Sequence, residues 1–265
     1  MNTQQGTPAW FNARKGKLTA SRFGAAAGIC PYTSRAKALR LELGKEEAKW
    51  APVAVEACTW GTKNEKNAIK DYMVRTGNVV TSHGFFEHPD YNWLGGSPDG
   101  LVGEEGMIEV KCPFVNKVCH NKIPPVYYCQ VNGLMEILDR KWCDFVSWTP
   151  TEMKIYRVYK DSDLFNFLFD RYTLFYACMK RGCDNLPRVS KQEKQQVLQR
   201  ISDSDDRTRY DFWAYLEPGA QQETSLPVFR RGDTVAVIGL EGERAVHNGK
   251  GGMVVACNRY EGTCT

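Results

Sequence analysis

The sequence predicts an α/β protein, with a mixed central sheet flanked by helices and a small all-β module at its C-terminal end. Three observations carry that expectation. Apolar residues recur at helical spacing over Thr62–Thr76, Pro125–Leu138 and Ser162–Arg181. The runs Met107–Cys112, Trp142–Trp148 and Met153–Tyr159 have the β-rich or alternating character of strands. At Asn185-Leu186-Pro187 the composition changes, and turn-rich β segments follow.

Residues 8–28 read as helix, turn and helix, with Thr19 or Ser21 able to cap the second. Arg14 and Arg22 flank the turn, where free helix N–H groups favour a phosphate; on the residues alone a solvated basic turn fits equally. Ser34 caps a helix that Gly44 ends. Residues 45–58 give no clear pattern. In the next helix, Glu65, Ala68, Ile69, Tyr72 and Met73 share one face, apolar except for the acid. A carboxylate there is costly unless it is paired, binds a cation or reaches solvent.

Val79–His88 and Tyr91–Gly96 read as strands around a Pro89-Asp90 turn, and Leu101–Val102 pairs with Met107–Cys112 across Gly103–Gly106. A largely antiparallel meander is expected. Pro124-Pro125 opens a helix with Tyr127, Gln130, Val131, Leu134 and Leu138 on one face. A hairpin follows around Thr149–Glu152, then a long helix stopped by Gly182. Residues 1–188 form the main domain, 189–226 a helical and linker segment, and 227–265 the β module.

The chemistry centres on Gly96-Ser97-Pro98-Asp99-Gly100-Leu101 and Ile108-Glu109-Val110-Lys111-Cys112-Pro113. On a strand, Met107, Glu109 and Lys111 point one way and Ile108, Val110 and Cys112 the other. Asp99 and Glu109 are hard oxygen donors suited to Mg²⁺, and a neighbouring Lys111 can orient an activated water or stabilise an attacked phosphate. A bare Glu-x-Lys is ordinarily an exposed pair; the Ser-Pro-Asp-Gly turn before it favours the site.

Those residues resemble the PD-(D/E)XK nuclease superfamily, and more fully its phage lambda exonuclease or YqaJ-like viral recombinase branch. Four segments carry the resemblance in order: Arg14–Ser21, Trp60–Glu65, Ser97–Gly100 with Glu109–Pro113, and Tyr127–Val131. It spans roughly residues 8 to 185 and implies a Mg²⁺-dependent 5′→3′ exonuclease, with Mn²⁺ as the alternative ion. Such an enzyme degrades one strand of a duplex from its end and leaves a 3′ overhang for a strand-annealing protein. The resemblance further implies Asp99, Glu109, the Val110 carbonyl and Glu65 at the metal, and Lys111 as the catalytic lysine. Gln130 and Tyr127 would border the site, Arg14 and Ser21 would grip the 5′ phosphate, and a homotrimer would thread the DNA.

Composition limits the rest. The net charge of +4 is modest for a nucleic-acid binder, so DNA as a partner rests on the motifs. No apolar stretch approaches the ~20 residues needed to span a bilayer, and no signal peptide is evident, so an intracellular, soluble protein is expected. Ten cysteines contain no Cys-x-x-Cys pair, and the histidines His83, His88, His120 and His247 are scattered, so no zinc pattern emerges. Cys30, Cys178 and Cys183 resemble an iron–sulfur ligand set only loosely. Arg230–Val237 and Gly249–Val255 resemble strands of a small SH3-like or KOW-type barrel. The rival readings are an endonuclease or structure-specific nuclease with the same core, and a non-catalytic DNA-end or protein-binding module.

Overall fold

The computed structural model describes residues 5–183 and 185–214, and short backbone segments at 234–236, 251–253, 257–258 and 263–264. It divides into two compact units, Met1–Ala220 and Gln221–Thr265.

In the first unit, helix signals fall where backbone physics puts them. Pro8 opens α1 (Pro8–Arg14), and the Thr7 hydroxyl accepts from Trp10 N–H. The expected turn after it contains a strand, β1 (Leu18–Thr19), a 3-10 turn at Ala20–Arg22 and the short α2 (Phe23–Ala26). Ser34 caps α3 (Arg35–Glu42) as anticipated. Helix α4 (Pro52–Thr76) begins ten residues before the expected Thr62 and ends on Gly77 at φ 69°. Its early turns leave Val53 and Val55 exposed, so no amphipathic stripe betrayed them; Pro52 at the first helical position was the available signal.

The expected Val79–His88 strand is broken into β2 (Val80–Thr81) and β3 (Phe86–Glu87), which serve different sheets. Together with β4 (Leu94–Gly96), β1 and β3 make a three-stranded sheet in the order β1-β4-β3. The main sheet adds β5 (Gly100–Val102), β6 (Gly106–Lys111), β7 (Trp142–Thr149), β8 (Glu152–Tyr159) and β9 (Arg209–Ala214), in the order β2-β5-β6-β7-β8-β9. It is not a meander throughout. Strands β6 and β7 run parallel, with Glu109 opposite Phe145 and Lys111 opposite Ser147. Parallel neighbours need a crossover, and α5 (Pro125–Leu138) supplies it.

Both faces of the sheet are buried. On one, Ile108, Val110, Val146 and Ile155 pack with Ala68 and Tyr72 of α4. On the other, Met107, Cys143, Phe145 and Tyr156 pack with α2, α3, α5 and α6 (Ser162–Arg181). Gly133 of α5 lets Phe23 approach so closely that a Cβ there would lie 2.2 Å from the ring. Helix α7 (Lys191–Thr208) starts with a Ser190–Glu193 capping box and buries Val197 and Ile201 in the same core. The segment read from sequence as helices and linker thus contributes core residues and an edge strand to this unit.

In the second unit, β10 (Thr234–Ala236) pairs antiparallel with β11 (Gly251–Met253), and β12 (Cys257–Asn258) with β13 (Thr263–Cys264). The rest of the expected barrel lies outside the described residues.

Candidate active site

The end of β6 collects the motif residues. Asp99 stands just before β5, and its Oδ2 accepts the Val110 N–H at 2.7 Å. In an extended strand the N–H and C=O of one residue leave on the same edge, so the Val110 carbonyl also turns to the Asp99 side. Glu109, 1% exposed, accepts through Oε1 from Lys111 Nζ at 2.5 Å and from Gln130 Nε2 at 2.6 Å. Tyr127, one turn before Gln130 on α5, offers its ring face to Lys111 Nζ at 4.9 Å. Glu65 reaches this end of the sheet from α4, in the layer on the opposite face, and interacts electrostatically with Asp99 and Lys111.

Charge here is out of balance. Burial, then repulsion from Asp99, pushes Glu65 up to about 7 and Glu109 up to about 8. Burial also raises Asp99, against the pull of Lys111 and the Val110 N–H. Lys111 is held above its ordinary value: burial pushes it down, but Glu109 and Asp99 pull it up more strongly. Three carboxylates therefore crowd Lys111, with Lys66 adding to the pull on Glu65, and each would ionise more readily beside a further cation.

The donor set fits a hard divalent ion. Glu109 Oε2 is buried without a partner, and Asp99 Oδ1 and the Glu65 carboxylate make no hydrogen bond among the described residues. As they stand, no three His, Cys, Asp or Glu side chains among the described residues converge closely enough to cage an ion. The acids lie within electrostatic range of one another, but Glu109 Oε1 and Asp99 Oδ2 are already engaged.

The expected phosphate grip is connected to this centre through Trp10. Its indole N–H donates to Ser97 Oγ at 2.8 Å, and the Arg14 guanidinium stacks on its ring at 4.1 Å. Ser21 is exposed and hydrogen-bonds Thr19 at 3.2 Å; Thr19 in turn is the register partner of Gly95 on β4. Arg14 and Ser21 thus flank the strand that leads into Ser97-Pro98-Asp99. Arg22 instead pairs with Glu42 at 2.7 Å, which leaves Arg14 the better candidate.

Two participants escaped the sequence reading. Trp10 carried no motif signal. His120, a lone histidine in an irregular loop, packs its ring edge-on against Tyr127 at 5.8 Å.

Comparisons with known proteins point to a family of nucleases. Residues 9–141 match the model of the YqaJ-like viral recombinase domain. Among solved structures, the chain is similar to LHK-Exo in complex with dAMP. The identity is 31% and the TM-score 0.57, over 66% of this chain and 93% of that one. It is likewise similar to an alkaline exonuclease (LHK-Exo) from Laribacter hongkongensis. There the identity is 28% and the TM-score 0.56, over 74% of this chain and 99% of that one. No curated protein matches the chain.

Proposed function

The chain belongs to the YqaJ-like viral recombinase domain family, and from that premise we propose that it is a Mg²⁺-dependent 5′→3′ exonuclease of double-stranded DNA. It would leave a 3′ single-stranded overhang for recombination by strand annealing. The observation that carries this reading is the set of three carboxylates, Glu65, Asp99 and Glu109, within electrostatic range of Lys111, with the buried Glu109 Oε2 unpartnered. LHK-Exo, crystallised with dAMP, supports a deoxynucleoside monophosphate as the product class.

Glu109, Asp99 and Glu65, with the Val110 carbonyl, would hold the metal, Mg²⁺ or in its place Mn²⁺. Bound there, the ion supplies a water of lowered pKa and stabilises charge on the attacked phosphate. Lys111 faces the same oxygen of Glu109 as Gln130 does, so its ammonium is fixed where it can orient that water or offset charge on phosphorus. Gln130 locks the Glu109 rotamer. Arg14, stacked on Trp10, offers a planar guanidinium to a terminal 5′ phosphate, and Ser21 a hydroxyl. Tyr127 backs Lys111. A homotrimer and a strand-annealing partner belong to the same proposal; sedimentation at several concentrations reads the first. Among the described residues, no helix is long and apolar enough to cross a membrane.

The test is digestion of a linear duplex labelled at its 5′ or 3′ end, with Mg²⁺ or with EDTA, beside a closed circular duplex. Prompt release of the 5′ label as mononucleotide, absent with EDTA, is expected, with the circle left intact. Internal cuts or a nicked circle would replace the exonuclease by an endonuclease.

A further inference from the structure

The irregular segment between β6 and α5 carries a histidine for which the proposed reaction has so far found no use. His120 is anchored by its backbone: its N–H donates to Ser147 Oγ at 2.9 Å, and its C=O accepts from Tyr156 O–H at 2.6 Å. Its neighbours add to the hold, Cys119 N–H to Glu152 Oε2 at 3.2 Å and Lys154 Nζ to Asn121 Oδ1 at 2.7 Å. The loop therefore does not need the imidazole to stay in place.

The ring is nonetheless oriented. Nδ1 lies 2.9 Å from the same Ser147 Oγ. That serine is fully buried, and its hydroxyl already accepts the His120 N–H; of the two acceptors beside its O–H, Cys119 Sγ is a weak one whose own S–H faces the Ser147 and Glu152 carbonyls, and Nδ1 is the stronger. Ser147 then donates to Nδ1, which places the ring proton on Nε2. Nε2 has no partner among the described residues and retains contact with solvent.

Register shows where that donor stands. Ser147 is the β7 partner of Lys111, and Phe145, against which the His120 ring packs at 6.0 Å, is the partner of Glu109. Neighbouring strands lie about 4.8 Å apart, so the imidazole sits one strand over from the acid–lysine pair. It also stands edge-on to Tyr127, whose ring carries Lys111.

We propose that His120, held by Ser147 as the Nε2–H tautomer, is a substrate-contacting residue that donates a hydrogen bond to a phosphate oxygen of the strand lying across Lys111. Burial, helped by the Lys111 charge, keeps its pKa below the ordinary histidine value, so the ring is a neutral donor of fixed direction at neutral pH. It complements Lys111: the lysine supplies charge, the histidine direction. The inference rests on the nuclease reading of the site.

The test compares wild type with His120→Ala, His120→Gln and His120→Asn, all checked by thermal melting. Binding of a linear duplex is read by fluorescence anisotropy in EDTA, and cleavage in Mg²⁺. Gln reaches toward the Nε2 position, whereas Asn reaches only the Nδ1 position that faces Ser147. The expected result is a loss of about ten- to a hundredfold in affinity and kcat/KM for the Ala and Asn variants, with most of it restored by Gln. A duplex with one phosphate near the 5′ end replaced by methylphosphonate, moved stepwise, should weaken wild type at one position that the Ala variant ignores. Wild-type behaviour of His120→Ala, rescue by Asn rather than Gln, or additive losses at every methylphosphonate position would overturn the contact. If wild type binds duplex without cutting it, the nuclease reading falls while the anisotropy still decides His120. If it neither binds nor cuts, both fall.

Discussion

Gln130 on α5 donates to Glu109 on β6 at 2.6 Å, so the crossover helix grips the acid of the strand it follows. Glu109 Oε1 receives a second hydrogen bond from Lys111, and the pair of donors fixes which oxygen stays free. Gln130→Ala should therefore lower kcat by about ten- to a hundredfold, the scale of one hydrogen bond to a charged group, with little change in KM for DNA. Steady-state digestion of a linear duplex measures the split.

Lys111→Ala should abolish turnover, a loss of about 10²-fold or more for a group acting at the transition state. Duplex binding in EDTA and the circular-dichroism spectrum should stay close to wild type. Wild-type rates in this variant would remove Lys111 from the reaction.

A cation that joins the three carboxylates around Lys111 stabilises the fold that gathers them. Mg²⁺ at about 100 times its dissociation constant should add about 2.7 kcal/mol to unfolding. Differential scanning fluorimetry with Mg²⁺ against EDTA reads this as a raised Tm, which Asp99→Asn should largely lose.

Gly133→Ala inverts the usual propensity rule. Alanine favours a helix interior over glycine by about 1 kcal/mol, but here its Cβ would lie 2.2 Å from the Phe23 ring. Overpacking should win, and urea unfolding should show a net loss of about 1–3 kcal/mol.

Asp161 gives a pH dependence remote from the site. Burial alone would push its carboxyl up, but hydrogen bonds from Ser204, the Leu164 N–H and Arg207 outweigh it and hold the pKa below its ordinary value. A depressed carboxylate stabilises the fold above its unfolded pKa of about 3.9 and loses that contribution as pH falls through the folded one. Asp161→Asn, which keeps a capping side chain on α6, should cost about 1–2 kcal/mol at pH 7, toward the low end because Arg207 is largely exposed. The difference from wild type in urea melts should shrink at pH 3.

Much of the fold was legible because its signals are local. Ser34, Pro125 and Gly182 each satisfy or terminate helix ends within a few residues, and α3, α5 and α6 lie where those residues place them. Glu109 with Lys111, and Gln130 with Tyr127, share faces that period-two and helical spacing already set, and Asp99 joins them through the Ser-Pro-Asp-Gly turn and the Val110 N–H. What stayed hidden depends on distant partners. The break between Thr81 and Phe86 is made by pairing with two different sheets, and β9 exists only against β8. The Trp10–Ser97 bond joins residues 87 apart, and His120 gains its meaning from Ser147, a residue of the next strand.

The parallel pairing of β6 with β7 has a consequence during synthesis. Asp99, Glu109 and Lys111 leave the ribosome well before Trp142–Thr149, the strand against which β6 is aligned. Without β7, the sheet is only the short ribbon β2-β5-β6, and the strand that carries Glu109 and Lys111 has no parallel partner. A nascent or prematurely terminated chain thus holds the reactive side chains without the frame that aligns them. Under the nuclease reading, cutting competence should arrive late in translation, and a chain that stops before Trp142 should carry none.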